Sequence, residues 1–364
     1  MVTKQTVIVG LSGGVDSAVA ALLLQRQGYD VRAVFMKNWS EDDFGGPCPW
    51  AEDQASAQAV ASHLGIPLET WNFEAEYRQR VFEAMIAEYE QSRTPNPDIL
   101  CNREIKFDLF LKRALKQADL VATGHYARTK NGRLYKAVDT GKDQSYFLAA
   151  IPRGSLNHVL FPLGELQKGE VRKIAKAAGL PNWDRPDSVG ICFIGEKKMK
   201  EFLSRYVHAQ PGPIVLPDGT VVGEHDGLLY FTIGQRHGFG PALDQKKVAA
   251  ALGAGRPLFV VEKQTTTGAL VVAPASATSK TLTKEFYVRE VQWIAYACSF
   301  PAALHAKLRY RAENVAVTLL PDGERFRVMC HEPQRAVTPG QYAVLYRDDE
   351  CLGCGVIDSV ASQA

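Results

Sequence analysis

An apolar stretch at residues 7–11, Val-Ile-Val-Gly-Leu, runs straight into Ser12-Gly-Gly-Val-Asp-Ser17 and then into the helix-forming run that follows. This junction constrains the fold more than any other part of the chain. The apolar run predicts a buried strand, and residues 18–27 predict a helix closed by Gly28. Two adjacent glycines at a strand-to-helix turn let backbone approach an anion closely. The helix N-terminus adds unpaired N–H groups and a positive dipole end suited to phosphate. The loop is not of the Walker type, because no Gly-Lys-Ser/Thr reaches toward β- and γ-phosphates. A glycine turn with Ser12 or Ser17 as a simple helix cap is the bland alternative. Six residues in this order at this junction favour a nucleotide.

The pattern downstream repeats strand and helix. Residues 29–36, 68–73 and 120–123 predict strands; residues 51–64, 76–92 and 104–117 predict helices. Such alternation predicts an α/β fold with a doubly wound, mostly parallel sheet and its ligand at the carboxyl ends of the strands. Residues 128–138 predict a hairpin around Asn131-Gly132. Helical pattern returns at 164–179 and 197–207. After Pro211-Gly-Pro213 short β-rich runs separated by Gly, Pro and Asp turns take over, including 227–233, 257–262 and 268–273. A second such set spans 286–358. The expected division is a catalytic domain at 1–208, a small β-rich domain at 209–280 and a C-terminal β-barrel at 281–364.

At 364 residues one hydrophobic core is insufficient, which agrees with several domains. No apolar stretch approaches the roughly 20 residues of a membrane span, and the start of the chain lacks a signal-peptide layout. Seven cysteines, an odd number in a long chain, point to reduced thiols and a cytoplasmic setting. A net charge of +2 excludes a uniformly basic protein but not a local RNA surface. Residues 168–205 carry nine Lys/Arg against five Asp/Glu, whereas residues 281–364 carry nine against ten. The middle of the chain would therefore supply the field for RNA, and the C-terminal part mostly shape.

Two further segments carry chemistry-bearing side chains. In Thr94-Pro-Asn-Pro-Asp-Ile-Leu-Cys101 two prolines stiffen a connection ahead of a helix, and Asp98 and Cys101 are spaced to share one side of a helical turn. A cysteine near a helix N-terminus and Arg103 is expected to have a lowered pKa. In Asp187-Ser-Val-Gly-Ile-Cys192-Phe-Ile-Gly195 a cysteine lies in a short apolar run between glycines. Taken singly, Asp98 reads as a cap and both cysteines as buried residues. Cys351-Leu-Gly-Cys354 has no matching second pair, so a structural role is expected over zinc. An iron–sulfur site on Asp98, Cys101 and Cys192 would lack a fourth ligand.

The opening loop resembles the pyrophosphate-binding loop of ATP pyrophosphatases, which cleave between the α- and β-phosphates. Together the three segments resemble the bacterial tRNA-specific 2-thiouridylase family. The likeness extends to Gly124-His-Tyr-Ala, Lys142-Asp-Gln-Ser-Tyr-Phe-Leu, Phe161-Pro-Leu-Gly, Phe231-Thr-Ile-Gly-Gln-Arg-His-Gly and Arg309-Tyr310, covering essentially the whole chain. The loop alone is shared with other pyrophosphatases; the combination is specific.

The resemblance implies ATP-dependent 2-thiolation of the wobble uridine of tRNA, at position 34. ATP adenylates the C2 oxygen, and sulfur arrives as a persulfide on Cys192, received from a donor protein. Cys101 is implied as the second catalytic cysteine, forming a transient disulfide with Cys192, and Asp98 as the acid/base beside it. Gly10, Leu11, Ser12, Gly13, Gly14, Val15, Asp16 and Ser17 would hold the nucleotide, with Met36 and Gly124 at adenine and ribose and Asp16 orienting Mg²⁺. Asn96, Pro97 and Asp98 would receive the target base, which must leave its stack. His125, Lys142, Asp143, Gln144, Arg309, Tyr310 and Gln341 match tRNA-contacting positions. No dedicated protein metal site is expected, and a monomer is the default. Two rivals remain: an amidotransferase-type synthetase using the same loop, which would need an ammonia source, and a non-catalytic RNA-binding protein, which would tolerate serine at both cysteines.

Overall fold

The computed structural model describes residues 4–40, 49–187, 199–253, 255–276, 282–295 and 298–361. The N-terminal part opens with β1 (Thr6–Gly10), α1 (Val15–Arg26), β2 (Asp30–Lys37), α2 (Pro49–Leu64) and β3 (Leu68–Asn72). Two long helical rods follow. The first joins α3 (Glu74–Tyr77) to α4 (Glu83–Glu90) through a π-helical stretch at Arg78–Phe82. The second joins α5 (Pro97–Cys101) to α6 (Leu111–Ala114) through a π-helix at Asn102–Phe110. Then come β4 (Leu120–Ala122), the hairpin β5 (Ala127–Lys130) and β6 (Arg133–Lys136), α7 (Ser145–Leu148), β7 (Val159–Leu160) and α8 (Lys168–Ala177).

The first sheet runs β3-β2-β1-β4-β7, with every pair parallel. Parallel strands with helices on both faces must be apolar on both sides. In β1, Val7 and Val9 pack with Ala21 and Leu24 of α1, while Ile8 packs into the opposite core with Tyr77 and Phe110. The chain winds outward from β1 through β2 and β3, then returns to β4 on the other side of β1. That reversal opens a crevice at the carboxyl ends of β1 and β4, where a doubly wound sheet places its ligand.

After α9 (Met199–Leu203) the central β region has strands β8 (Gly212–Val215), β9 (Val221–His225), β10 (Leu258–Gln264) and β11 (Ala269–Pro274), in the order β10-β11-β8-β9. It also holds a helix, α10 (Gln245–Leu252), where only strands were expected. The run at 227–233, expected as a strand, instead contains a 3₁₀ turn at Leu228–Tyr230, whose Leu228, Leu229 and neighbouring Phe231 are buried. A short apolar run has no period by which strand and turn can be separated.

The last region is β12 (Leu282–Trp293), β13 (Ala302–Lys307), β14 (Val315–Asp322), β15 (Arg325–Arg335), β16 (Tyr342–Arg347) and β17 (Glu350–Val360). Pairing of β12 with both β15 and β17 closes these six strands into a barrel. The β5–β6 hairpin, although 200 residues earlier in the chain, joins this sheet through β6 and β17, with Leu134 opposite Cys351. The largest core is correspondingly not inside one unit. Cys101, Tyr146 and Phe107 share it with Tyr342, Tyr346, Cys351 and Cys354 of the barrel.

Candidate functional site

The loop after β1 is tied to itself and to its surroundings by its polar atoms. Ser12 N donates to Ser17 Oγ at 3.1 Å, the two hydroxyls lie 3.2 Å apart, and Ser17 Oγ donates to Gly14 O at 3.0 Å. Gly13 has φ +81°, and a Cβ there would lie 2.3 Å from Asp53 O. Its carbonyl accepts from Ser56 Oγ and Asn182 Nδ2, both at 2.8 Å, and from Arg185 Nη1 at 3.1 Å. Gly14 caps the 12-residue α1 without a side-chain cap bond, so the first N–H groups and the positive dipole end remain suited to an anion.

The rim of the crevice is equally restricted. Gly124 follows β4, and a Cβ there would lie 2.6 Å from Ser17 N, so only glycine lets this segment cross the first turn of α1. Met36 reaches back over Gly10, its Cε 3.1 Å from where a Cβ would stand. Leu11 and Val15 are buried beneath the loop. These residues fit a nucleotide whose phosphates meet α1 and whose base lies toward β2.

Asp16 has a different setting from the one expected. Lys168 Nζ donates to both its oxygens at 2.7 and 2.8 Å, and Tyr126 Oη donates to Oδ1 at 2.8 Å. Burial and the Asp16 charge raise the Tyr126 pKa, so it stays a donor. Lys168 also meets Asp187 Oδ1 at 2.8 Å, and Asp187 accepts from Lys142 Nζ and Arg172 Nη2, each at 2.8 Å. Burial alone would raise the Asp187 pKa, but the bonds from Lys142 and Lys168 hold its carboxyl far below the usual range. Among the described residues no group of three or more His, Cys, Asp or Glu is arranged to hold a metal. The Asp16 charge is answered by Lys168 and by the Tyr126 hydroxyl. Sequence reasoning missed Lys168, Tyr126, Asn182 and Arg185. Tyr126 lies within the Gly124-His-Tyr-Ala motif, and the basic stretch that begins at Lys168 contains Lys168 and Arg185.

The cysteine segment begins earlier as a helix than the sequence pattern indicated. Asn96 Oδ1 accepts from Ile99 N at 3.4 Å as the N-cap of α5, and Pro97 occupies the first turn, where its missing N–H costs nothing. Cys101, the last residue of α5, is fully buried. Arg103 Nε, two residues on, donates to Glu104 at 2.7 Å. A π-helix starts directly after it, a distortion common at functional sites. Cys192 lies outside the described residues.

Just upstream, all three regions grip the chain. Thr94 N donates to Pro339 O at 3.0 Å, and Thr94 Oγ1 lies 3.2 Å from Thr232 Oγ1. Gln341 Nε2 donates to Thr94 O at 2.9 Å and Pro95 O at 3.2 Å. Arg309 Nη2 donates to Ile233 O at 3.1 Å, to Ala336 O, and to Thr338 Oγ1 at 3.3 Å. Two residues expected at an RNA surface, Gln341 and Arg309, thus use their side chains to bind the β regions to each other and to Thr94.

The other expected RNA contacts surround α7. Asp143 is buried, accepting from Ala137 N at 3.0 Å and Ser145 Oγ at 2.9 Å, so its side chain anchors a turn. Gln144 Oε1 accepts from Tyr126 N at 2.9 Å. Tyr310 packs on Phe147 with ring centroids 4.3 Å apart. His125 Nδ1 lies 2.8 Å from Thr123 Oγ1, and its ring packs on Phe107 and Phe161. Burial, helped by the Lys106 charge, pushes its pKa well down and keeps it neutral. Cys351 and Cys354 are buried in β17; burial raises both thiols, Cys354 to about 12, which suits a structural role.

Comparison with known proteins covers the same three regions. Residues 5–196 match the tRNA methyl transferase HUP domain, residues 200–274 the tRNA methyl transferase PRC-barrel domain, and residues 283–357 the aminomethyltransferase beta-barrel domain. A tRNA-specific 2-thiouridylase MnmA of Halorhodospira halophila is 48% identical, with 98% of this chain and 94% of that one covered. Its counterpart in Verminephrobacter eiseniae is 47% identical, with 97% and 98% covered. That in Serratia proteamaculans is 48% identical, with 98% of each covered. The domain descriptions speak of methyl transfer, but the relatives matched along the whole chain are thiouridylases. With the first domain matched from residue 5 to residue 196 and relatives of 47–48% identity end to end, the chain belongs to the tRNA-specific 2-thiouridylase family.

Proposed function

We propose that this protein uses ATP to replace the C2 oxygen of the wobble uridine in tRNA by sulfur, releasing AMP and pyrophosphate. The observation that carries the reading is the pairing, in a chain of this family, of a phosphate-suited α1 N-terminus at the sheet's switch point with a clamped Asn96–Cys101 segment. We read the chain as three domains, 1–208, 209–280 and 281–364, acting in the cytoplasm as a monomer.

In this reading the uridine O2 attacks the α-phosphorus and pyrophosphate leaves toward the N-terminus of α1, where backbone N–H groups receive its charge. Magnesium enters with the nucleotide. Lys168, bridging Asp16 and Asp187, places a further positive charge beside the loop. A persulfide on Cys192, supplied by a donor protein, then provides sulfur by one of two balanced routes. The terminal sulfur attacks C2 and expels AMP; the Cys101 thiolate then attacks Cys192 Sγ, leaving thiouridine and a Cys101–Cys192 disulfide. Alternatively, Cys101 attacks first and releases sulfide, which displaces AMP. Either route leaves a disulfide that a thiol reductant must reopen. Asp98, three residues before Cys101, is the candidate proton acceptor. Burial of Cys101 protects its thiol until RNA and nucleotide are in place.

The test is incubation of the purified protein with ATP, unmodified tRNA and a persulfide donor. The reading predicts 2-thiouridine together with AMP and pyrophosphate. ADP and phosphate, or no sulfur in the tRNA, would overturn it.

A further inference from the structure

A cleft of about 370 Å³ lies where the three regions meet, lined by Arg93 and Thr94 of the first, Lys263 and Thr265 of the second, and Thr338 and Asp358 of the barrel. Lys263, on β10, is largely buried and donates to Phe231 O at 2.7 Å. Burial alone pushes its pKa down to about 8. Neighbouring β11, Ala-Leu-Val-Val-Ala-Pro, carries no charge to compensate it. The acid lining the cleft, Asp358, is already answered by Arg93 at 3.4 Å, Arg289 at 3.5 Å and Arg325 at 3.2 Å. Glu88 engages Arg93 and Arg289 from behind. Glu290 and Asp322 further engage Arg289 and Arg325, so the arginines are matched by acids, whereas Lys263 lines the cleft with no ion pair among the described residues.

A buried ammonium bonded to one backbone carbonyl keeps donors for an anion and gains by neutralisation. We propose that this cleft holds a backbone phosphate of the RNA substrate, with Lys263 as the anion anchor and Thr265 beside it. The inference rests on the tRNA reading above and adds a contact to it. RNA rather than a free anion is favoured by continuity. Thr94 lines the cleft and lies two residues before Asn96, where the segment proposed to receive the base begins. A strand entering that segment has the cleft beside it, and a phosphate there would fix its register without reading sequence.

The experiment is equilibrium binding of unmodified tRNA to the full chain, in wild type, Lys263→Met and Lys263→Arg, over a salt series. Loss of one charged contact should weaken Lys263→Met about tenfold and reduce the salt slope by about 0.7–0.9. Wild-type affinity should fall from about pH 7 to about pH 9 as the amine loses its proton, while Lys263→Arg stays flat because its side chain does not titrate there. If Lys263→Met fails to fold, the wild-type and Lys263→Arg pH profiles decide the matter. An unchanged affinity and slope in Lys263→Met, or a wild-type profile as flat as that of Lys263→Arg, would overturn the anchor. Lys263-dependent binding of inorganic phosphate with unaltered tRNA binding would make this a small-anion site and overturn it as well. Failure of wild type to bind tRNA at all would instead take down the functional reading.

Discussion

The two strand- or loop-to-helix junctions proposed to carry the chemistry are built in opposite ways. Among the described residues, the loop at Gly10–Ser17 is held by the N-terminal region: its own serines, Ser56, Asn182, Arg185, Tyr126 and Lys168. The Thr94–Cys101 segment is held by Pro339 and Gln341 of the barrel and Thr232 of the central region, and its cysteine lies in a core shared with the barrel. In the proposed reading, activation of the substrate by ATP is a property of one region, and sulfur delivery depends on all three being assembled. The comparison implies that damage to the β regions should spare ATP binding while impairing RNA chemistry, and damage to the loop should do the reverse.

The largest effect is expected at Gly13. Gly13→Ala places a Cβ on Asp53 O in a positive-φ position, displacing the loop by a fraction of an ångström or more. ATP affinity should fall about 100-fold, measured by titration calorimetry, with tRNA affinity unchanged. Equal loss of both ligands would break the separation.

Gln341→Ala removes both bonds to Thr94 O and Pro95 O. At about 1 kcal/mol for each, the KM for tRNA should rise roughly thirtyfold with the KM for ATP constant. Lys168→Met leaves Asp16 and Asp187 without their shared cation; a rise of about fivefold in the KM for ATP is expected, a test of whether this lysine serves the loop. Asn96→Ala removes a long cap bond and should cost about 0.5–1 kcal/mol in a thermal melt. The smallest effect concerns acid. Because the Asp187 carboxyl is held low, its contribution is complete above its unfolded pKa of about 3.9 and is lost only as pH falls below that. The melting temperature of wild type should therefore show no loss from this group near neutrality, and Lys142→Ala should narrow its gap to wild type only below about pH 4.

Much of the first region was legible in the sequence because its determinants are local. Apolar runs of strand length, Gly28 and Gly65 after the first two helices and the Ser-Gly-Gly turn fix β1, α1 and the parallel sheet without reference to distant residues. What the sequence does not display depends on contacts far apart in the chain. Gln341 and Arg309 carry no local sign that their side chains bond to backbone carbonyls, Thr94 O being 247 positions away from Gln341. Lys168 acquires meaning only because α8 packs beside α1, and Asn131-Gly132 signals a hairpin without saying that β6 joins a barrel made by the last part of the chain. The start of α5 was misplaced because its two prolines read as a connection, when Pro97 takes the one helical position that accepts proline.

The central claim is that the loop activates and the buried cysteine completes sulfur transfer. A single-turnover reaction of Cys101→Ser with ATP, tRNA and a persulfide donor, scored for AMP and 2-thiouridine together, tests it most directly. The account predicts pyrophosphate at close to the wild-type extent and no free 2-thiouridine, with AMP released if the persulfide attacks C2 directly and retained on the uridine if sulfide must be freed first. Wild-type yields of 2-thiouridine from Cys101→Ser would contradict it.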